Sequence, residues 1–462
     1  MIKTIQTRCN ATFGSVHLMA EVARRFFRLF LFVAVGLVTL ASSAITLTPV
    51  PPFLTEVKGA PMIMINMSRD HQLFSKAYNE YSDLNGDGIV ETQYLHSYEY
   101  YGYFDNQRCY TYDTTNNRYV PSRKVDATGY CNYTGGNSEW AGNFMNWATM
   151  TRLDVVRRIL YGGFRSTDDS IVSGISLTVL ERANLTHDAH AFAKYYIAAD
   201  ISKLTPFNKP EITICNSSLS ATGRPRIYVA DGNYSLWGAN ERWQCHWSED
   251  KAASNGNDPA QSGLNAASSN PSKVSNGLGF GNDYGTFIAR IEVCKTGLPG
   301  GFTSDENGRC KLYPLGNYKP VGLLQKFGEK NEAAFGLMTG SYDNNVSGGL
   351  LRKNVASFTD EVDIDDGQFK NFNGIVGTLN KLKLYGYDYG DGSYLSDGAG
   401  CNYQQIGLVN GQCASWGNPI GEIYQESLRY FSGATENSTF RDRKSTRLNS
   451  SHRNTSRMPS SA

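Results

Sequence analysis

The residues with the clearest chemical potential lie in one short segment, Asp83-Leu84-Asn85-Gly86-Asp87-Gly88-Ile89-Val90-Glu91. Side-chain oxygens at the first, third and fifth positions, a glycine at the sixth and a backbone carbonyl at the seventh wrap a hard cation. The segment supplies Asp83, Asn85 and Asp87 at those oxygen positions and the carbonyl of Ile89 at the seventh, with Glu91 at the ninth. The pattern therefore predicts a calcium site.

The second half of this pattern is incomplete. The twelfth position, where the loop normally carries a bidentate glutamate, is Tyr94, which has no carboxylate. The missing ligand would come from a carboxylate elsewhere in the chain or from water. The alternative is an Asx/Gly turn that holds no ion.

Other candidate sites are weaker. His187 and His190 have a spacing that suits a metal, but without a third ligand a solvated or capping role is favoured. Five tyrosines offer either a sugar- or protein-binding face or the core of a strand; they are Tyr94, Tyr98, Tyr100, Tyr101 and Tyr103. The sequence contains no GxSxG, HExxH or GxxxxGK[ST] motif, so it indicates no enzyme class.

Two helices are specified well enough to position other elements. Thr151 and Asp154 form a capping-box pair, and Gly162–Gly163 ends the helix. We expect Asp154 to pair with Arg158, and one apolar face made of Leu153, Val156, Ile159 and Leu160. A second helix is predicted at Pro419–Ser432 with Asn418 at its N-cap. Its expected inner face is Ile420, Ile423, Tyr424, Ser427, Leu428 and Phe431. Buried strands are predicted at Met62–Ile65 and Ala333–Thr339.

The chain of 462 residues has room for two or three domains, and its charge is unevenly distributed. Residues 45–440 carry a formal net charge of −8, because both ends are basic. A net negative charge over these residues provides no basic surface for nucleic acid and favours the binding of cations.

Residues 1–44 are predicted to be a signal peptide. Three arginines at 24, 25 and 28 precede the apolar run Leu29–Ala41, and Ser42-Ser43-Ala44 offers a cleavage site. The run is short for a membrane span, so no stable transmembrane segment is expected after cleavage. An uncleaved anchor is the alternative.

Cleavage would leave eight cysteines, and an even number in an exported protein predicts disulfides. Eight cysteines allow 105 connectivities. Nearest-neighbour pairing is favoured because each pair brackets a loop rich in Gly, Asn or Asp, which gives Cys109–Cys131, Cys215–Cys245, Cys294–Cys310 and Cys401–Cys413.

Several segments, in order from about Pro61 to Gly433, resemble the N-terminal region of the type IV pilus tip-associated PilC/PilY proteins. They are GNFMNWATMTRLDVVRRILYGG (142–163), MSRDHQL (67–73), TVLERA (178–183) with DAH (188–190), KPVGLLQKFG (319–328), FGLMTGSYDNNVSGGLLRK (335–353) and GNPIGEIYQESLRYFSG (417–433). The resemblance implies a non-catalytic adhesion and pilus-biogenesis protein, exported to the periplasm, outer membrane or cell surface. Its partners would be minor pilins, the pilus tip and a host or abiotic surface ligand.

The resemblance also implies an α/β fold with a von Willebrand A-like three-layer domain. Residues 45–165 would form its first part, with the Tyr-rich calcium loop inserted, and 166–330 a β- and loop-rich, disulfide-bonded insertion. Residues 331–440 would continue the domain, which we expect to be incomplete at its C-terminus. The tail at 441–462 resembles translated adapter sequence, or is a disordered basic tail.

The cation site of that fold aligns with Asn66, Ser68, Asp70 and Asn418. Asn66 replaces the usual first aspartate, which weakens a site for a hard cation. The alternative role for these residues is capping of helix ends.

Two further functions compete with the pilus hypothesis. One is a secreted calcium-dependent glycan-binding module, supported by the tyrosines and the Asp83 loop. The other, a secreted hydrolase with paired acids, is the weakest because spacing identifies no carboxylate pair.

Overall fold

The computed structural model describes residues 59–131, 139–171, 176–218, 220–233, 245, 283–298, 308–370, 373–389, 393–394 and 409–440. The predicted signal peptide at 1–44 and the tail at 441–462 lie outside these ranges. The elements named below belong to the compact unit that begins at Ala60. Within the described ranges, no helix is both long enough and apolar enough to cross a membrane.

The unit is a mixed α/β structure. The strands of the described residues are β1 (Met62–Met67), β2 (Arg108–Asp113), β3 (Arg118–Lys124), β4 (Trp140–Ala141), β5 (Arg165–Asp168), β6 (Thr178–Glu181), β7 (Phe192–Ile197), β8 (Glu211–Ser217), β9 (Arg226–Asp231), β10 (Asp283–Ile288), β11 (Arg290–Val293), β12 (Cys310–Leu312), β13 (Tyr318–Pro320), β14 (Ala334–Thr339), β15 (Leu350–Ala356), β16 (Tyr387–Asp388) and β17 (Ser393–Tyr394). The α-helices are α1 (Gly142–Thr149), α2 (Arg152–Tyr161), α3 (Ile201–Leu204), α4 (Leu323–Gly328), α5 (Ile375–Asn380) and α6 (Ile420–Phe431). Short 3₁₀ turns lie at His71–Phe74, Phe358–Asp360 and Ser438–Phe440.

A three-stranded sheet has the order β1-β14-β15. β1 runs parallel to β14 in a register that pairs Met62 with Ala334, and β15 is antiparallel to β14. Both strands that the sequence predicts, at 62–65 and 333–339, are present, and they are neighbours in the sheet. The predicted burial is wrong for the start of β1, where Met62 and Ile63 are 43% and 41% exposed. The two strands are separated by more than 260 residues of chain, which includes the predicted calcium loop.

Helices pack on both faces of this sheet. Phe335 and Leu337 of β14 lie in one buried cluster with residues of α2, α4 and α5. Met338 points to the opposite face, where it packs against Ile423 and Tyr430 of α6. This alternation follows from the period of two along a strand and gives a helix–sheet–helix arrangement.

Two larger sheets lie between β1 and β14 in the chain. Antiparallel strands form a four-stranded sheet of order β10-β9-β8-β7. A six-stranded sheet has the order β4-β2-β3-β11-β6-β5, so strands from both predicted insertions share it. Their common core is aromatic, with Trp140, Trp147 and Tyr119 almost completely buried.

Helix α2 begins and ends as predicted, but one side-chain contact differs. The Thr151 side chain accepts the Asp154 N–H, the Asp154 carboxylate accepts the Thr151 N–H, and Gly162 ends the helix at φ 91°. The predicted pairing of Asp154 with Arg158 is wrong. Asp154 instead accepts the N–H of Ala183 at 2.8 Å, and Arg158 donates to the carbonyl of Val321 at 2.8 Å. Ile159, expected on the inner face, is 41% exposed.

Helix α6 is present where predicted, but its buried face is different. Ile423, Ser427 and Tyr430 point inward, whereas Ile420, Tyr424 and Leu428 are about half exposed. Asn418 is not the N-cap, because the cap position is Pro419 and no side chain caps the helix. The inner face is fixed by the sheet, since the Ser427 hydroxyl bonds Asn66 of β1 and the Tyr430 hydroxyl accepts the N–H of Val355.

Three of the four predicted disulfides are present. Cys109–Cys131, Cys215–Cys245 and Cys294–Cys310 are each bonded. Cys413 is also in a disulfide, and its predicted partner Cys401 lies outside the described residues. Each of the three joins cysteines that follow one another in the sequence, as nearest-neighbour pairing predicts.

Candidate cation site

The predicted calcium loop is closed by a short antiparallel contact at its base. Ser82 and Glu91 form an isolated β-bridge, with the Glu91 N–H donating to the Ser82 carbonyl at 3.1 Å. Between them the backbone turns sharply at Gly86 and Gly88, whose φ angles are 78° and 86°. Only glycine adopts this left-handed conformation without strain, which explains the two glycines of the motif.

Asp83 organises the interior of the loop. One of its carboxylate oxygens accepts the N–H groups of Gly86 at 2.6 Å and Asp87 at 3.1 Å, and the other accepts that of Gly88 at 2.8 Å. These backbone donors, Gly88 first among them, hold the pKa of Asp83 below its ordinary value. A charged carboxylate at the first position is therefore stabilised by the loop itself.

Three carboxylates converge in this loop. One oxygen from each of Asp83, Asp87 and Glu91 lies within 4.8 Å of the others. Calcium binds oxygen ligands at about 2.3–2.6 Å, so ligands on opposite sides of one ion are about 5 Å apart. The spacing of the three carboxylates therefore fits a single calcium ion.

The remaining predicted ligands are close by. The side-chain oxygen of Asn85 accepts the Asp87 N–H at 2.9 Å, and its amide donates to the Asp87 carboxylate at 2.9 Å. Ile89 is 70% exposed, and its N–H donates to Asp87 at 2.7 Å. All five predicted residues thus belong to one exposed loop.

Tyr94, the twelfth residue of the motif, has a different role. It is 6% exposed and packs against Tyr100, Phe144 and Trp147 in the aromatic core. Its neighbours Tyr100 and Tyr103 are also almost completely buried. The tyrosines therefore do not form a shared exposed face, which removes this support for a glycan-binding module.

The residues of the second predicted cation site form hydrogen bonds within the fold, and metal binding by them stays a prediction. Asn66 accepts a hydrogen bond from Ser427, and Asp70 caps the 3₁₀ turn by accepting the Gln72 N–H at 2.9 Å. The Ser68 hydroxyl accepts the N–H of Asp70 at 2.9 Å, and the carbonyl of Asn418 accepts that of Ile420. Among these four residues, the capping alternative is confirmed for Asp70 and not for Asn418.

The sequence does not predict a histidine cluster in which His190 is buried and the side chain of His71 is 29% exposed. His190 lies 2.7 Å from Asp188 through its Nδ1 and 3.0 Å from His71 through its Nε2. Asp188 also accepts hydrogen bonds from Thr186 at 2.7 Å and Tyr394 at 2.6 Å. The cluster joins three segments that are far apart in the chain. Its signal in the sequence was that both histidines lie in segments of the family resemblance.

Burial and charge shift the pKa values in this cluster. Burial lowers the pKa of His71, and it lowers the pKa of His187 to about 4. Burial would raise the pKa of Asp188, but His190 and the hydroxyl donors outweigh it and hold that pKa at about 2.

The expectation that His187 and His190 are solvated is wrong, because they are 1% and 5% exposed. His187 bonds Tyr387 at 3.0 Å rather than sharing a site with His190.

Comparisons with known proteins identify similar chains. Residues 91–234 match the family model "PilY1 homolog, small alpha/beta domain", and residues 335–461 match "PilY1 homolog, second domain". A type IV pilus biogenesis factor PilY1 homolog of Xylella fastidiosa (strain Temecula1 / ATCC 700964) is 32% identical over 399 residues, which cover 80% of this chain and 24% of that protein. A second PilY1 homolog of the same strain is 29% identical over 251 residues, covering 51% of this chain and 17% of that protein. The chain thus spans at most about a quarter of the length of these relatives. No solved structure matches.

Proposed function

The chain belongs to the family of PilY1 homologs, and we propose that it acts, without catalysis, in type IV pilus biogenesis and adhesion. The observation that carries the proposal is the 32% identity to a type IV pilus biogenesis factor along 80% of the chain. The two family domain models match in sequence order, one in each half of the chain, which supports the same assignment.

The proposed location is outside the cytoplasm, in the periplasm, at the outer membrane or at the pilus tip. Disulfides persist in oxidising compartments and are rare in reducing ones. The bonded pairs Cys109–Cys131, Cys215–Cys245 and Cys294–Cys310 therefore support export. Proposed partners are minor pilins at the pilus tip and a host or abiotic surface ligand.

Deletion of the gene in the bacterium that encodes it tests this proposal. We expect fewer surface pili by electron microscopy and reduced twitching motility, both restored by the wild-type gene. A matched complement that lacks the predicted signal sequence at 1–44 should not restore them. Normal piliation and motility in the deletion strain would overturn the proposal.

We propose in addition that Asp83, Asn85, Asp87, Glu91 and the carbonyl of Ile89 bind calcium. The support is the convergence of three carboxylates within 4.8 Å on a loop whose backbone already stabilises a charged Asp83. Bringing like charges together is unfavourable, and a divalent cation would offset that repulsion. When bound, calcium would hold Glu91 against the loop and stiffen an exposed segment of the pilus protein.

The three-stranded sheet and its helices are proposed to be the von Willebrand A-like part of the chain. The support is the order β1-β14-β15 with β1 parallel to β14, and the placement of α2 and α6 on opposite faces. An experimental structure tests it. We expect this arrangement to superpose on the corresponding strands and helices of von Willebrand A domains. An antiparallel β1, or α2 and α6 on the same face, would contradict it.

A further inference from the structure

A groove of about 730 Å³ lies beside helix α4, away from the calcium loop. Its apolar lining includes Tyr101, Ile159, Leu312 and Leu323, and three lysines at its rim are Lys311, Lys326 and Lys330. We call this feature the lysine groove. Its volume falls within the range of about 300–1,000 Å³ that is typical of binding pockets.

The apolar side chains of the lysine groove remain exposed although the sequence pattern predicts burial for one of them. Ile159 is 41% exposed, Leu312 50% and Leu323 44%. Helix α4 turns Leu324 and Gln325 inward and leaves Leu323 and Lys326 at the surface. Apolar surface gathered in a concave site and edged by polar residues is typical of a protein-interaction site.

The charge of the lysine groove is opposite to that of the body of the protein. Lys311 forms an ion pair with the buried Glu329, but Lys326 and Lys330 have no acidic partner among the described residues. Arg158 and Arg309 add positive charge near Tyr101 of the groove, since each guanidinium lies 5.6 Å from the centre of that ring. Residues 45–440 carry a net charge of −8, so the positive charge of the lysine groove is opposite in sign to the net charge of this part of the chain and favours an acidic partner.

We propose that the lysine groove docks a segment of a partner protein that presents large aliphatic or aromatic side chains beside aspartate or glutamate. The apolar lining would take the hydrophobic anchors, and Lys326 and Lys330 would pair with the flanking carboxylates. A nucleic acid fits less well, because phosphate recognition needs a wider basic surface, and Tyr101 is the one aromatic side chain among the described lining residues. This inference goes beyond the pilus assignment and stands on different residues from the calcium proposal.

Selection from a random peptide library displayed on phage tests the inference and requires no named partner. The full exported chain is the bait, and the charge-reversed variant Lys326→Glu/Lys330→Glu is the counter-selection. We expect enriched peptides to combine Leu, Ile, Phe or Trp with Asp or Glu. A synthetic copy of an enriched peptide should bind the charge-reversed variant and Leu323→Asn about tenfold more weakly than it binds wild type, as measured by fluorescence anisotropy. Its affinity for wild type should fall with added salt.

The matched control is Lys381→Glu/Lys383→Glu, which reverses two other exposed lysines and should leave affinity unchanged. The neutral pair Lys326→Gln/Lys330→Gln, checked by thermal melting, separates lost charge from misfolding and should also weaken binding. The inference is overturned by enriched peptides without acidic residues, or by equal binding to wild type and the reversed variant. It is also overturned if a single-stranded oligonucleotide binds the groove with an affinity that Leu323→Asn does not change.

Discussion

The backbone N–H of Leu84 donates to Oε2 of Glu91 at 2.6 Å, which brings the ninth residue of the loop back to its second. This contact places the Glu91 carboxylate beside those of Asp83 and Asp87. In the proposed calcium site, Glu91 would supply the carboxylate that the sequence pattern expects three residues later. Tyr94, at that later position, is committed to the aromatic core.

Replacement of Asp87 tests the calcium proposal. Asp87→Asn removes one of the three carboxylates and should weaken calcium binding by at least about tenfold, because affinity depends on the number of charged ligands. Isothermal titration calorimetry with calcium chloride on the full chain measures the change.

Asp113→Asn is the matched control for that experiment. Asp113 is a partly exposed aspartate that also accepts two backbone N–H groups, at 3.0 and 3.1 Å, but it lies outside the carboxylate cluster. This variant should bind calcium as wild type does. Equal affinities for wild type and Asp87→Asn would exclude the proposed ligands.

Tyr94 offers a second test, of its assignment to the core. Restoring the motif with Tyr94→Glu should not improve calcium binding, since the new carboxylate would be buried. It should instead cost several kcal/mol of unfolding free energy. Tyr94→Phe loses only hydroxyl hydrogen bonds, such as that from Asn143 at 3.1 Å, and should cost about 1 kcal/mol. Urea denaturation distinguishes the two, and a stable Tyr94→Glu variant with tighter calcium binding would contradict the core assignment.

His187 predicts a loss of stability in acid. Its pKa is about 4 in the folded chain, against 6.5 for an unperturbed histidine. Between these values the unfolded chain binds a proton that the folded chain does not. The contribution of His187 to the free energy of unfolding is therefore complete above pH 6.5. It declines by about 3 kcal/mol in all as the pH falls to 4. His187→Gln should flatten this part of the curve of unfolding free energy against pH, and parallel curves for the two proteins would refute the assignment.

The orientation of helix α6 is tested by two alanine variants. Tyr430→Ala removes a side chain that is 4% exposed and should cost about 3–5 kcal/mol of unfolding free energy. Leu428→Ala changes a side chain that is 53% exposed and should cost less than about 1 kcal/mol. The sequence prediction places Leu428 on the inner face and omits Tyr430. It therefore predicts that Leu428→Ala loses more unfolding free energy than Tyr430→Ala. Chemical denaturation of both variants decides between them.

Local signals predicted this fold better than long-range ones. The capping box of Thr151 and Asp154, the strand at Met62–Ile65 and three of the four close cysteine pairs are present. Each depends on residues near one another in the chain. The inner face of α6 depends on β1 and β14, the strands against which the helix packs. The spacing of apolar residues in the helix does not indicate where those strands lie. The five ligand candidates of the calcium loop also lie in one continuous segment, but their binding of calcium stays a prediction.

The histidine cluster was not predictable by the same reasoning. His71 and His190 are 119 residues apart and meet only because the fold brings the end of β1 beside the segment before β7. No spacing rule connects them. Their hydrogen bond is a property of the tertiary structure alone.

Fractionation of sheared surface pili tests whether the protein is part of the pilus. An antibody against the chain should detect it in pili purified from the encoding bacterium, and this signal should be lost from the same fraction of a strain lacking the major pilin. An equal signal in that fraction from both strains, or a protein confined to the cytoplasm, would contradict a role in the pilus.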